Sequence, residues 1–338
     1  MSTGLGFFLI CLGGFMQGTY YLPLKYVSPW KWENIWLVYA FLALVALPVT
    51  LASATVPQLG DALSFCSKRA LGEVFIFGTG WGIGCVLSGL GVDRLGLAIG
   101  VSVLIGITAA LGSIIPLVVN TPELVMQPKG LLVIASVAIL LVGVILVAAA
   151  GKKRDSSRRQ TGLSGQKGSF AIGLAICIFS GIFSSMLNLA FSFSDGVKEA
   201  VLMTGASQGG AQNVVWMVAL GGGFIANAVY TFYLLYTNHT WSNFVMPRTR
   251  LFWIFGTAMA ALWYFGMVLY GRGAGFMGQL GTVIGWPLFM ASIIFFSSVW
   301  GFVTGEWKNS SSSAKAFMVA GLAVLLVASA MLGITNRM

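Results

Sequence analysis

The stretch GKKRDSSRRQTGLSGQKGS, residues 151–169, separates two strongly apolar halves of the chain. It carries six Lys and Arg residues against a single Asp, so it cannot enter the hydrocarbon core of a bilayer. On both sides of it, mostly apolar stretches of about 20 residues recur, and each is long enough to cross a membrane as a helix. The sequence therefore predicts a membrane protein with a basic connection at its centre.

The composition of the whole chain argues against a soluble protein. Of 338 residues, 57% are hydrophobic and 8% are charged, whereas a soluble domain carries roughly 25% charged residues. We attribute the net charge of +10 to a membrane face and not to a nucleic-acid partner. The four cysteines have no metal-type spacing, so neither a metal nor another cofactor is expected. The first apolar stretch lacks a basic start and a cleavage site, which favours a retained span over a signal peptide.

Ten candidate spans are predicted, five on each side of the central segment. They lie near 4–24, 34–53, 71–92, 97–119, 130–150, 170–193, 212–236, 250–271, 279–304 and 315–335. Residues 1–150 then form a first five-helix repeat, residues 151–169 a basic cytoplasmic linker, and residues 170–338 a second five-helix repeat. The predicted fold class is an all-α integral membrane protein.

The distribution of basic residues predicts the orientation. With the central segment on the cytoplasmic side, thirteen of the nineteen Lys and Arg residues fall on that side, as the positive-inside rule requires. Both termini are then expected outside the cell membrane. Without the central segment the bias is only seven to six, so the orientation depends on that one stretch.

The two halves resemble each other in sequence. The tetrapeptide IFGT at residues 76–79 recurs at residues 254–257, and an arginine, Arg94 or Arg272, follows each copy at the same spacing. Because each half has five spans, the second copy must enter the bilayer upside down. Such inverted repeats are typical of transporters with a substrate site near the midplane and alternating access. A chance match of common residues is the alternative.

Charged residues indicate the kind of substrate. No predicted span carries a charge near its middle, where an ionised group costs at least ~2.5 kcal/mol. A small neutral solute therefore fits better than a nucleotide or a cationic drug. Only Glu73 enters a span, and for proton-coupled transport it is the leading carrier of the proton. The alternative is an ordinary ion pair with Lys68 or Arg69.

Amide, hydroxyl and aromatic side chains inside the spans suggest a sugar site. Amides and hydroxyls can bond sugar hydroxyls, and an aromatic face can cover the apolar face of a sugar ring. The candidate substrate-binding residues are Gln17, Tyr21, Trp81, Ser184, Asn188, Trp263, Tyr264, Gln279 and Trp286. For any one of them, bonding between helices or a place in an interfacial aromatic belt is the alternative.

Two further patterns concern gating and catalysis. Lys25, Glu33, Asp93 and Arg94 flank cytoplasmic connections, and we expect them to pair as an inner gate; a solvated loop pair is the alternative. The stretch GASQG at residues 205–209 matches a hydrolase motif, but the one histidine of the chain falls on the opposite predicted face. We therefore do not expect an enzyme.

Several short motifs follow one another along the chain. They are YLPLK at 21–25, WKWE at 30–33, WGIG at 81–84, IGIT at 105–108, FSG at 179–181 with Asn188, GGG at 221–223 with Asn227, Trp263-Tyr264 and Glu306-Trp307. In order and spacing they resemble the L-rhamnose-proton symporter family of the drug/metabolite transporter superfamily. The resemblance implies a ten-helix, two-repeat carrier of the bacterial inner membrane that imports a deoxysugar together with a proton.

One departure from that family's pattern lies in the ninth span. Where the family has an acidic residue shortly before the tryptophan, this chain reads GTVIGW at residues 281–286. Import of L-rhamnose or a similar neutral sugar by proton symport is expected, but another neutral sugar, another coupling carboxylate or uncoupled transport stay open. The remaining alternatives are a carrier of another small metabolite, as exporter or uniporter, and a membrane-embedded hydrolase. The oligomeric state is not predicted.

Overall fold

The computed structural model describes residues 2–95, 97–159, 170–247 and 249–335, and within these ranges it contains helices but no strand. Ten of the helices are long and apolar enough to cross a membrane. This confirms the expectation of a multi-pass, all-helical membrane protein with ten spans.

The spans are numbered here in chain order. They are span 1, Ser2–Thr19; span 2, Trp32–Thr55; span 3, Lys68–Leu95; span 4, Leu97–Asn120; span 5, Pro128–Arg159; span 6, Phe170–Ser192; span 7, Gln208–Thr237; span 8, Arg250–Phe276; span 9, Gly281–Val303; and span 10, Ser312–Thr335.

Two span ends differ from the prediction for a clear physical reason. Span 1 stops at Thr19, because the proline-containing 3-10 turn Leu22–Tyr26 follows it. Span 5 continues to Arg159, since a helix that leaves lipid can carry its charged residues on into water. Helix therefore occupies the first part of the predicted linker, and residues 160–169 lie outside the described ranges.

The connections lie on two faces of the helical bundle. On one face, called the basic face, Trp30 Nε1 donates to the Asn243 carbonyl at 2.9 Å, which joins the 1–2 and 7–8 connections. On the other, called the opposite face, Asn120 Nδ2 donates to Ser192 Oγ at 3.0 Å, and Cys66 packs near Val197. The end of span 5 lies at the basic face as well, where Arg154 Nη1 is 3.2 Å from Glu306 Oε2 of the 9–10 connection.

The spans pack in an interleaved order along the chain. Span 3 packs mainly against spans 6 and 7, and span 8 mainly against spans 1 and 2. Span 4 contacts spans 5, 6 and 9, span 9 also contacts spans 1 and 10, and span 5 pairs with span 10. Each half of the sequence is therefore packed largely against the other half.

Small residues allow some of these helices to approach closely. A Cβ at Gly78 would lie 1.8 Å from the Ala219 carbonyl oxygen, and one at Gly82 would lie 2.4 Å from the Gly223 carbonyl oxygen. Only glycine fits where backbones are this close, and such contacts hold membrane helices together without a hydrophobic driving force. The contact fixes span 3 against span 7 next to Trp81.

Candidate functional site

One large cavity enters the bundle from the basic face. Its volume is about 930 Å³, which is within the ~300–1,000 Å³ usual for small-molecule sites. Residues of all ten spans line it, and at its mouth the lining includes Trp32, Val101, Gly151, Arg154 and Trp307. Among the described residues, none from a connection on the opposite face lines it. The cavity is therefore open to one face only.

Two tryptophans meet deep in the cavity. Trp81 of span 3 and Trp263 of span 8 stack with ring centroids 5.3 Å apart and planes at 28°, and both line the cavity. Tyr39 stands edge-on to Trp263 at 6.2 Å. Trp36 Nε1 donates to Asn227 Oδ1 at 3.0 Å, which fixes that ring in the cavity wall. The structure thus builds an aromatic surface at the place where the two halves of the chain meet.

Polar groups surround this aromatic surface. Gln17 lines the cavity, and its Nε2 donates to the Trp263 carbonyl at 3.2 Å. Ser184 and Tyr21 also line it, the Tyr21 ring lying over Trp36 with centroids 6.2 Å apart. Together with Trp81, Trp263 and Trp286, these are six of the nine candidate substrate-binding residues, and all six line one cavity.

The other three candidates lie elsewhere. Asn188 is fully buried, donates to the Gly112 carbonyl at 2.6 Å and accepts a hydrogen bond from the Tyr270 hydroxyl, so it joins spans 4, 6 and 8. Tyr264 is fully buried and does not line the cavity. Gln279 is exposed in the 3-10 turn Gly278–Leu280 at the opposite face. This turn directly precedes the α-helix of span 9, which begins at Gly281, and Gln279 does not line the cavity.

Packed aromatic rings close the half of the bundle toward the opposite face. Phe191 and Trp216 stack with centroids 4.5 Å apart and planes at 3°, and Tyr270 packs against both rings. Trp286 lies against Tyr270, and its Nε1 donates to the Thr108 carbonyl at 3.0 Å.

Hydrogen bonds add to this closure between spans 4, 6 and 9. Ser113 Oγ donates to the Val283 carbonyl at 2.6 Å. The hydroxyls of Ser192 and Thr282 lie 3.0 Å apart. A solute in the cavity is therefore separated from the opposite face by a continuous packed layer.

Glu73 lies outside the cavity. Its Oε1 is 2.7 Å from Arg69 Nε, one helical turn earlier, and its side chain is 46% exposed. The pair is at the opposite-face end of span 3. It is the ordinary ion pair that we gave as the alternative to a proton-carrying role for Glu73.

The predicted gate residues are only partly described. Glu33 is buried and accepts hydrogen bonds from Asn238 Nδ2 at 3.0 Å and Thr240 Oγ1 at 2.9 Å. It therefore ties the start of span 2 to the 7–8 connection. Arg94 Nη1 donates to the Leu90 carbonyl at 3.3 Å. The side chains of Lys25 and Asp93 lie outside the described part of the chain.

A cluster that the sequence did not suggest stands at the cavity mouth. Arg154 Nη1 lies 3.2 Å from Glu306 Oε2, and the guanidinium lies 5.1 Å from the Trp307 ring centroid. All three residues line the cavity, and among the acidic side chains that the structure describes, only Glu306 does so. The ion pair joins residues 152 positions apart, so local sequence reasoning had no signal for it beyond the Glu306-Trp307 dipeptide.

The hydrolase-like motif has a structural role. Ser207 caps span 7, its Oγ accepting a hydrogen bond from the Gly210 N–H at 3.1 Å. His239 follows the other end of that span, at the basic face. Within the described ranges, no group of three or more His, Cys, Asp or Glu side chains could hold a metal ion.

Comparison with known proteins gives one family over nearly the whole chain. The family described as L-rhamnose-proton symport protein (RhaT) matches residues 2–337. The L-rhamnose-proton symporter of Shigella sonnei is 27% identical over 339 residues, covering 98% of this chain and 97% of that protein. The symporters of the same name from Escherichia coli and Yersinia pestis are each 26% identical over 337 residues with the same coverage. With ten spans and a one-sided cavity, the chain belongs to the L-rhamnose-proton symport family, a family of transporters and not of enzymes.

Proposed function

We propose that this protein imports L-rhamnose or a similar neutral monosaccharide by proton symport with alternating access. The family and its relatives, which are L-rhamnose-proton symporters, support the sugar and the proton. The observation that carries the proposal is the Trp81–Trp263 stack with Gln17, Tyr21 and Ser184 around one cavity.

The chemistry of this cavity suits a neutral sugar. The apolar C–H face of a sugar ring can lie on the indole rings, while its hydroxyls bond to amide and hydroxyl side chains. Among the described residues, the charged groups that line the cavity are Arg154 and Glu306, both at the mouth. A phosphate or an ammonium group deep in the cavity would therefore lack a counter-ion, which favours an uncharged solute.

Two inverted five-helix repeats, as in the drug/metabolite transporter fold, account for the packing of the spans. Each span can be exchanged for the span five positions further along the chain, counting on from span 10 to span 1. Under this exchange the contacts of span 3 with spans 6 and 7 become those of span 8 with spans 1 and 2. The same exchange turns the contact of spans 4 and 6 into that of spans 9 and 1, and returns the pair of spans 5 and 10 to itself. Residues 1–150 and 170–338 are the proposed repeats.

The IFGT copies agree with this exchange. Gly78 of the first copy packs on Ala219 of span 7, and Gly256 of the second copy packs on Val38 of span 2. The hydroxyls of Thr79 and Thr257 donate to carbonyls one turn earlier in both copies. Corresponding residues thus contact corresponding spans, as repeats require.

The basic face is proposed to be cytoplasmic, in a bacterial inner membrane, with both termini outside. The basic segment at residues 151–169 supports this orientation. The cavity then opens inward and the packed layer of Phe191, Trp216 and Tyr270 forms the closed outer side. Rocking of the two halves would exchange these openings.

For the proton, Glu306 is the better-placed carboxylate. Glu73 pairs with Arg69 at the surface outside the cavity, which favours its structural interpretation. Glu306 lines the cavity and is held by Arg154. We therefore propose that Glu306 rather than Glu73 carries the coupled proton; Lys25, Glu33, Asp93 and Arg94 keep their proposed place in the inner gate.

The test is sugar uptake by the purified protein in proteoliposomes, with variants of the aromatic surface. Trp81→Phe and Trp263→Phe should raise the KM for L-rhamnose about tenfold, since each loses stacking area worth ~1 kcal/mol or slightly more. Trp253→Phe is the matched control, because Trp253 is on span 8 but outside the cavity. Uptake of a charged metabolite without any monosaccharide would favour a carrier of another small metabolite instead.

A further inference from the structure

Four buried polar atoms have no hydrogen-bond partner among the described residues. They are Oε1 of Gln212, Oδ1 of Asn213, Nε1 of Trp216 and the hydroxyl of Tyr264. All four residues belong to spans 7 and 8, and none is more than 8% exposed. An unpaired polar atom inside a protein is costly, so a cluster of them requires an explanation.

Three of the four lie along one contact between the two spans. Gln212 and Trp216 are one turn apart on span 7 and therefore share a side of it. A Cβ at Gly271 of span 8 would lie 2.8 Å from Trp216 Nε1, and one at Gly275 would lie 2.6 Å from Gln212 Nε2. Tyr264 precedes Gly271 by seven residues and so stands on the same side of span 8. We call these five residues the 7/8 seam.

The seam runs from the closed end of the cavity to the opposite face. At one end, Tyr264 follows Trp263, whose ring lies in the cavity. At the other end, the Arg272 guanidinium lies so close to Gly209 that a Cβ there would be 1.4 Å from Nη1. Span 7 packs mainly on span 3 and span 8 mainly on span 1, so the seam also divides two groups of spans.

Neighbouring polar groups in the same closed half are paired. The Tyr270 hydroxyl donates to Asn188, and Ser192 bonds Thr282 across spans 6 and 9. Three of the four unpaired atoms therefore lie in the seam, while the fourth belongs to Asn213, whose Nδ2 donates to Thr55 Oγ1 of span 2. Polar groups inside a membrane bundle commonly mark a water-filled or substrate path.

We propose that the 7/8 seam is the outer half of the sugar path, and that Gln212, Trp216 and Tyr264 bind the hydroxyls of a neutral sugar when the protein opens to the opposite face. This inference rests on the proposed sugar transport. The groups are complementary to a polyhydroxylated solute: the Gln212 carbonyl accepts, the Trp216 N–H donates, and the Tyr264 hydroxyl does both. In the present conformation the stack of Trp216 on Phe191 fills this path.

The first test is a matched pair of variants that each lose one tyrosine hydroxyl. Tyr264→Phe removes an unpaired group, so the sugar-free protein should unfold at the same temperature or higher. Its KM for L-rhamnose added at the opposite face should rise about tenfold, or ~1.4 kcal/mol, while the KM for sugar added at the basic face stays within about twofold. Tyr270→Phe loses a formed hydrogen bond and should lower the unfolding temperature.

Two outcomes of that comparison overturn the proposal. One is that Tyr264→Phe lowers the unfolding temperature as much as Tyr270→Phe, which would show that the hydroxyl is paired. The other is an unchanged KM for sugar added at the opposite face.

The second test does not depend on sugar transport. In a variant without native cysteines, Gln212→Cys should react with a membrane-impermeant maleimide added at the opposite face, and L-rhamnose should slow the reaction. Val214→Cys is the control: Val214 is fully buried, lies on nearly the opposite side of span 7 and should not react. If Gln212→Cys is labelled no faster than Val214→Cys, the proposed path along the seam is contradicted. If Gln212→Cys is labelled but no monosaccharide slows the reaction, the path stands and the result counts against a sugar as its solute.

Discussion

Replacing Gly82 by alanine tests whether close helix packing positions the aromatic surface of the cavity. The added Cβ would lie 2.4 Å from the Gly223 carbonyl oxygen, about 1 Å short of the 3.4 Å at which ordinary contact begins. Both partners are helix backbone, so spans 3 and 7 must separate by about that distance. Overpacking of this kind costs ~1–3 kcal/mol.

The displacement also reaches the neighbouring residue in the cavity. Trp81 stacks on Trp263 at 5.3 Å, and loss of an aromatic pair of this type is worth ~0.5–1.5 kcal/mol. We therefore expect Gly82→Ala to lower the unfolding temperature and to raise the KM for L-rhamnose by about two- to tenfold.

Thermal unfolding and proteoliposome uptake measure the two effects. Gly221→Ala is the matched control, because it makes the same change on span 7 where a Cβ would meet nothing within 4 Å. If Gly82→Ala has the same unfolding temperature and the same KM for L-rhamnose as Gly221→Ala, then the contact with span 7 does not position Trp81.

Three further predictions follow from the site and its surroundings. Glu306→Gln should abolish accumulation of sugar against its gradient while sugar exchange continues, whereas Glu73→Gln should still accumulate sugar; the reverse result would return the coupling role to Glu73. Cys85 lines the cavity and should react with a small maleimide from the basic face, more slowly with L-rhamnose present, while Cys66 is buried outside the cavity near Val197 at the opposite face, so L-rhamnose should not change its rate; equal protection of both thiols would contradict this. Ser207→Ala should lower the unfolding free energy by ~1 kcal/mol through loss of the helix cap without changing KM, and a total loss of uptake would argue against a purely capping role.

The number of spans could be predicted from the sequence because the signal is local. A run of apolar residues as long as the bilayer is thick identifies a span whatever it packs against. The ends of the spans are harder to predict. Span 1 ends at Thr19 because a turn follows it, and span 5 extends into water as far as Arg159. Hydropathy alone determines neither of these two ends.

The site could be predicted only in part, because the rotation of each helix is set by its neighbours. Trp81 and Trp263 lie near the middle of spans 3 and 8, and both line the cavity. Asn188 lies one turn from the opposite-face end of span 6, and it points into the contact of spans 4, 6 and 8. Arg154 and Glu306 come together only through the packing of the two halves. The depth of a residue in the membrane follows from its position along the span, whereas the direction in which its side chain points depends on how the helices pack.

The most direct test of the account is uptake of labelled L-rhamnose by the purified protein in proteoliposomes, with and without an inward proton gradient. We predict accumulation above the external concentration when the gradient is present, and only equilibration when a proton ionophore removes it. If neither L-rhamnose nor another neutral monosaccharide enters the vesicles under either condition, while a charged metabolite does, the central claim is contradicted.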